Sequence, residues 1–240
     1  MSLEIKKLEK KFSNLKVLDG IDLKVSGGEI VFILGRSGTG KSVLLKSIVG
    51  LLKPDSGEIW IDEEEVSHLS EEKYVPIRKK CGMVFQHPAL FDSLSVFENV
   101  AFGVRRHFSH YSEEKIKSVV LESLSLVELY GVENKMAFEI SYGMQKRVSL
   151  ARTLAIKPRY LLFDEPTTGL DPVITRAINK LIWRLSRKLK VTAIVVSHDM
   201  QCALEISDRI VVLDQGQIVE ESNPQLIRTS KVPLVQEFLA

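Results

Sequence analysis

Cysteine is scarce in this 240-residue chain: there are two, Cys81 and Cys202, far apart and outside any CxxC pattern. Free thiols are expected, and neither a disulfide framework nor a zinc site is indicated. Long apolar runs are missing as well, none approaching the roughly 20 residues of a membrane span. The start, Met1-Ser2-Leu3-Glu4-Ile5-Lys6-Lys7, has no apolar stretch after its charges, so no secretory signal is expected. Nor does one sign of charge dominate: 33 basic and 31 acidic residues leave +2, which argues against a dedicated nucleic-acid binder. No internal repeat or low-complexity linker divides the chain. Its length and 45% hydrophobic content suit one α/β domain over residues 1–240.

Glycine totals 14, yet three of these fall in one segment, Gly35-Arg36-Ser37-Gly38-Thr39-Gly40-Lys41-Ser42, directly after the apolar run Ile30 to Leu34. The segment fits GxxxxGK followed by Ser or Thr, and its setting predicts strand, phosphate-binding loop and helix. Glycines there let backbone N–H groups turn inward as an anion nest at the positive end of a helix. Lys41 is placed to reach the β- and γ-phosphates of a nucleoside triphosphate, and Ser42 to offer its hydroxyl to Mg²⁺.

Three further strand ends carry polar chemistry. Tyr160 to Phe163 reads as a buried parallel strand and ends in Asp164-Glu165-Pro166. Open parallel sheets bind ligands at the carboxyl ends of their strands, so Asp164 is expected to hold Mg²⁺ through its water shell, opposite Lys41 and Ser42. Glu165 is then placed to polarise the attacking water as a general base. Val191 to Val196 leads to Ser197-His198-Asp199, where the imidazole of His198 can sense the γ-phosphate. Gln86, closing Gly82 to Phe85, offers a neutral amide to Mg²⁺ or the water.

Together these residues resemble the ATP-binding-cassette ATPases, in the family's order and from end to end: the phosphate loop, the glutamine loop at Gln86, a signature segment at Ile140 to Arg147, the acids at 164 and 165, the loop Gly169-Leu170-Asp171-Pro172, and the switch histidine at 198. The resemblance implies that Ser141 and Gly143 meet the γ-phosphate bound by a second copy, that Asp171 joins the nucleotide-binding set, and that Phe12 stacks on adenine. The signature departs from Leu-Ser-Gly-Gly-Gln: Tyr142 replaces the first glycine and Met144 the glutamine. Anion binding at a helix start rests mainly on backbone N–H groups, so such a site survives if Tyr142 points away from the phosphate.

The implied fold is a P-loop core of mostly parallel sheet, an antiparallel N-terminal β part, and a helical subdomain inserted at about 87–158. Local patterns fill in helices over Lys41 to Leu52, Ser112 to Leu126 and Pro172 to Lys190, and a hairpin at Ile210 to Val219. The acidic cluster Asp62 to Glu65 reads as solvated surface. The implied partners are a second copy, arranged head to tail around ATP and Mg²⁺, and a transmembrane permease, placing the chain on the cytoplasmic face of the inner membrane. The segment Pro88 to Phe102, Met144, Thr167 to Pro172 and the ending Val235 to Leu239 resemble bacterial lipid-trafficking ATPases of the maintenance-of-lipid-asymmetry type, which work with a lipid-binding substrate protein. The alternatives are the ATPase of a polar amino acid or other small-solute importer, or a soluble non-transport cassette ATPase.

Overall fold

The computed structural model describes residues 2–240. Two long strands, β1 (Ser2–Phe12) and β2 (Leu15–Ser26), pair antiparallel; β3 (Ile30–Leu34) then enters a second sheet, and residues 35–40 lead into α1 (Lys41–Ile48). β4 (Ser56–Ile61) returns to β1, with β5 (Glu64–Glu65) at its edge. α2 (Glu71–Lys80) and β6 (Cys81–Val84) follow. Three helices come next, α3 (Val96–His107), α4 (Glu113–Leu126) and α5 (Tyr142–Leu154), before the chain re-enters the sheet at β7 (Tyr160–Asp164). The remainder is α6 (Pro172–Leu189), β8 (Thr192–Ser197), α7 (Met200–Ile206), β9 (Arg209–Asp214), β10 (Gln217–Ser222) and α8 (Pro233–Leu239).

The first sheet is antiparallel in the order β2-β1-β4-β5, and the second runs β10-β9-β3-β8-β7-β6, parallel except for the hairpin strand β10. This is the mixed α/β class that the motifs imply. β3, β7 and β8 are buried along their whole length, as expected of strands covered on both faces. Their side chains alternate between two cores. Ile30, Phe32 and Leu34 join the core of α3 to α7, while Val31 and Ile33 face α1 and the antiparallel sheet.

The expected helix start at Ser112 holds: its hydroxyl accepts a hydrogen bond from the Lys115 N–H at 3.3 Å. Ser95, not expected as a cap, opens α3 in the same way, accepting from the Glu98 N–H at 3.2 Å. One helix end differs from expectation. α1 stops at Ile48 and not Leu52, because Gly50 takes a left-handed φ of +66° and the Tyr74 ring lies against it, so close that a Cβ would stand 2.5 Å from the ring. Cys81 and Cys202 are free and buried.

The loop after Gln86 is fastened by helix side chains: Arg152 of α5 donates to the carbonyls of Pro88 at 3.1 Å and Ala89 at 2.8 Å, and Asn99 of α3 holds the part that follows. Asn99 is fully buried; its Oδ1 accepts from the Phe91 N–H at 2.8 Å, and its Nδ2 donates to the carbonyls of Phe91, Leu94 and Ser95 at 3.0–3.1 Å. Asn99→Ala takes away the partner of the Phe91 N–H and of the Leu94 carbonyl, at a cost of about 2 kcal/mol. Chemical denaturation checks this, with hydrogen exchange expected to rise first across residues 91–95.

Candidate functional site

The register of the parallel strands brings the polar strand ends together. Leu34 pairs with Ser197, and Asp164 with Val196, so the loop after β3, Glu165 after β7 and His198 after β8 emerge side by side. A cavity of about 630 Å³ opens there, lined by Val17, Arg36, Ser37, Gly38, Gly40, Lys41, Ser42, Gln86, Glu165, Thr168, His198 and Phe238 among others. A second cavity of about 720 Å³ shares Thr168 and His198 but runs along α6 and α7 to Arg228, with no phosphate-loop residue in its wall. The phosphate chemistry therefore belongs to the first.

The loop's glycines are needed for two different reasons. Gly38 and Gly40 have φ of +83° and +101°, a region that L side chains avoid. Gly35 is a matter of space: a Cβ would stand 2.5 Å from the Leu213 carbonyl oxygen of β9. Lys41, the first residue of α1, curls back over the loop and donates to the carbonyls of Gly35 at 2.7 Å and Arg36 at 2.9 Å. Its Nζ lies 3.7 Å from Glu165 Oε1. Burial lowers its pKa, while the charges of Glu165 and Asp164 pull it back up. A phosphate oxygen is a stronger acceptor than either carbonyl, so this ammonium is well placed to bind one.

Ser42 Oγ donates to Asp164 Oδ1 at 2.7 Å, which sets a hydroxyl and a carboxylate side by side, a donor set of hard oxygens suited to Mg²⁺. Glu165 is held on three sides. Its N–H donates to the Val196 carbonyl at 3.0 Å, its Oε2 accepts from Thr168 Oγ1 at 3.1 Å, and the same oxygen lies 2.9 Å from His198 Nδ1. Its backbone has φ of +49°, a left-handed conformation that costs a non-glycine residue energy and recurs at functional sites. A carboxylate fixed this way can take a proton from a water held at the phosphate end of the cavity.

The remaining expected residues lie outside this cavity. Ser141 caps α5, accepting from the Met144 N–H at 3.4 Å. Gly143 is buried against α6, where a Cβ would meet Ile174 at 3.2 Å. Asp171 caps α6, accepting from the N–H groups of Val173 at 2.9 Å and Ile174 at 3.0 Å. Phe12 stands half-exposed at the end of β1, with Lys10 Nζ 5.6 Å from its ring. Four lining residues, Val17, Val43, Thr168 and Phe238, have no site role in the sequence reading, and Val43 simply follows Ser42 on α1. Thr168 lies three residues past the glutamate and had a local signal; Val17 and Phe238 had none. Phe238 arrives through long-range packing of α8, beside an ion pair of Arg36 with Glu237.

Residues 18–168 match the family model described as "ABC transporter". Among curated relatives, the chain is 44% identical to a methionine import ATP-binding protein, MetN of Carboxydothermus hydrogenoformans, over 86% of this chain and 61% of that one. It is 41% identical to the intermembrane phospholipid transport system ATP-binding protein MlaF of Haemophilus influenzae, over 98% of this chain and 89% of the relative. Among solved structures, it superposes on the dimeric cassette MJ0796 bound to ADP and Pi with a TM-score of 0.85 at 33% identity, covering 92% of this chain and 98% of the other.

Two substitutions separate binding from hydrolysis. Glu165→Gln is expected to retain nucleotide and slow turnover by at least about 10²-fold, since an amide holds water but does not accept its proton. ATP should then trap a dimer on size-exclusion chromatography. Lys41→Ala is expected instead to weaken nucleotide binding itself, measured by the fluorescence of a labelled ATP; unchanged affinity would contradict the role given to the lysine.

Proposed function

The chain belongs to the ABC transporter family as one of its ATP-binding ATPases, and from that membership we propose that it drives a bacterial membrane transporter moving phospholipid between membranes. One observation carries the phospholipid reading: the Haemophilus phospholipid-transport relative is 41% identical over 98% of this chain. The runner-up, a small-solute importer ATPase, rests on the 44% identity to the methionine-import protein.

In this reading ATP lies along the loop from Gly35 to Ser42, with Lys41 on its terminal phosphates and Phe12 against the adenine. Ser42, Gln86 and Asp164 would hold Mg²⁺, which would supply positive charge to neutralise the phosphates. Glu165 takes the proton of the attacking water, and His198 steadies Glu165 through the Nδ1 contact. Ser141 and Gly143 lie outside their own chain's cavity, which fits a role at the phosphate of a second copy; the dimeric cassettes among the solved relatives support the same arrangement. Asp171 would sit near that junction. Among the described residues no helix is long and apolar enough to cross a membrane. By the precedent of the family, the work of closure passes to a permease, with the chain on its cytoplasmic face. A lipid-binding substrate protein completes the proposed assembly.

The surface for the permease is the loop that Asn99 fastens. Phe91 of that loop and Phe102 of α3 are both exposed, their rings 4.8 Å apart, while Leu94 is half-buried. Phe91→Asp with Phe102→Asp puts charge into this apolar pair without touching the nucleotide cavity, and should abolish copurification with the permease while nucleotide binding persists. Mass spectrometry of a solvent extract of the wild-type complex should find retained phospholipid that is lost or relocated when ATP is added. A complex holding a soluble amino acid binding protein and no specifically retained lipid would favour the importer reading.

A further inference from the structure

Lys146 lies one turn past the start of α5, buried to 6% exposure, and faces no carboxylate at ion-pairing distance. Its ammonium instead donates to three carbonyls from three separate stretches of chain: Gln86 at 2.9 Å, Pro166 at 2.9 Å and Thr168 at 3.1 Å. An ammonium has three N–H donors, so all are used. Each acceptor borders the hydrolytic residues. Gln86 is the glutamine of the cavity wall, Pro166 follows Glu165 directly, and Thr168 is the residue whose hydroxyl donates to Glu165. Burial pushes the Lys146 pKa down to about 8, with the charge of Glu165 acting in the opposite direction.

Tyr142, where related signatures carry glycine, is on the same helix one turn earlier. Its ring centroid is 5.4 Å from the Lys146 Nζ, within range of a cation–π contact. Its hydroxyl lies 3.3 Å from His87 Nδ1, one residue beyond Gln86. The side chain is thus turned onto its own chain, near Gly169, where a Cβ would stand 3.9 Å from the ring. A glycine at 142 supplies neither the cover over the ammonium nor the link to His87.

We propose that Lys146 and Tyr142 are positioning residues for hydrolysis: the ammonium ties the glutamine loop and the segment Pro166 to Thr168 into one body around Glu165, and Tyr142 covers that ammonium and adds His87 to the body. The inference rests on Glu165 acting as the base. It makes the unusual signature residue a compensated feature, serving its own chain's catalytic carboxylate in addition to the end of the helix it occupies. Nucleotide affinity is set elsewhere, at the loop from Gly35 to Ser42, so the effect falls on turnover.

The test measures kcat and the dissociation constant of a fluorescent ATP analogue in the full chain, for Lys146→Met, Tyr142→Phe, Tyr142→Gly and the double variant Lys146→Met with Tyr142→Gly. Lys146→Met is expected to lower kcat at least tenfold with the dissociation constant within twofold of wild type. Tyr142→Phe keeps the ring and loses the hydroxyl, for a fall of about threefold; Tyr142→Gly loses both and falls further. The double variant is expected to be no slower than Lys146→Met alone, because the two residues act as one unit. Wild-type kcat in Lys146→Met or in Tyr142→Gly, or effects that multiply in the double variant, would overturn the proposal. Should Lys146→Met fail to fold, the ordering wild type, Tyr142→Phe, Tyr142→Gly decides the question, since Tyr142 is partly exposed and its loss leaves no cavity in the core. Glu165→Gln run alongside keeps the two assignments apart: a Glu165→Gln enzyme that still turns over contradicts the base, whereas a silent Glu165→Gln beside an unimpaired Lys146→Met contradicts only the positioning role.

Discussion

The register of three parallel strands is the constraint on which the rest depends. β3, β8 and β7 are hydrogen-bonded so that their carboxyl ends finish at one level, and that level is where the phosphate loop, His198 and Glu165 begin. A slip of one residue in any of them would turn its inward side chains to the other face and carry its polar end out of reach of the others. The slip is prevented by burial on both faces. Each strand feeds alternate residues to two separate cores, so a shifted register would misplace side chains in both at once.

The same physics explains what the sequence made legible. Strands buried on both sides read as unbroken apolar runs, and a polar group at the end of such a run stands out, which is why Asp164, Glu165 and His198 are candidates from the sequence alone. Caps were legible for a similar reason: Ser112 ahead of two acids marks a helix start with a single hydrogen bond. The end of α1 was not, because it depends on Tyr74 packing against Gly50 from 24 positions away in the chain, and periodicity carries no trace of such a contact. Phe238 illustrates the limit within the cavity itself. It reaches the phosphate loop through the docking of the last helix, and nothing in its neighbours distinguishes it from an ordinary core residue.

Around the rigid strand ends lie connections with little regular hydrogen bonding of their own, held in place by side chains. Asn99 secures the stretch after Gln86 from α3, Asp171 turns the chain into α6, and Thr168 braces Glu165. Connections held by a few side-chain hydrogen bonds can open locally, whereas the strands beneath them do not yield. A molecule built this way can pass a change at the nucleotide to a distant surface without disturbing its cores.

The left-handed backbone of Glu165 has a consequence for how this sequence can change. At that position glycine would relieve about 1 kcal/mol of strain, and asparagine part of it, so any selection for thermal endurance alone pulls the residue away from glutamate. Selection for turnover pulls it back. The two pressures meet at one codon, and a library sorted only for folded protein is free to lose the glutamate, yielding folded molecules with no engine.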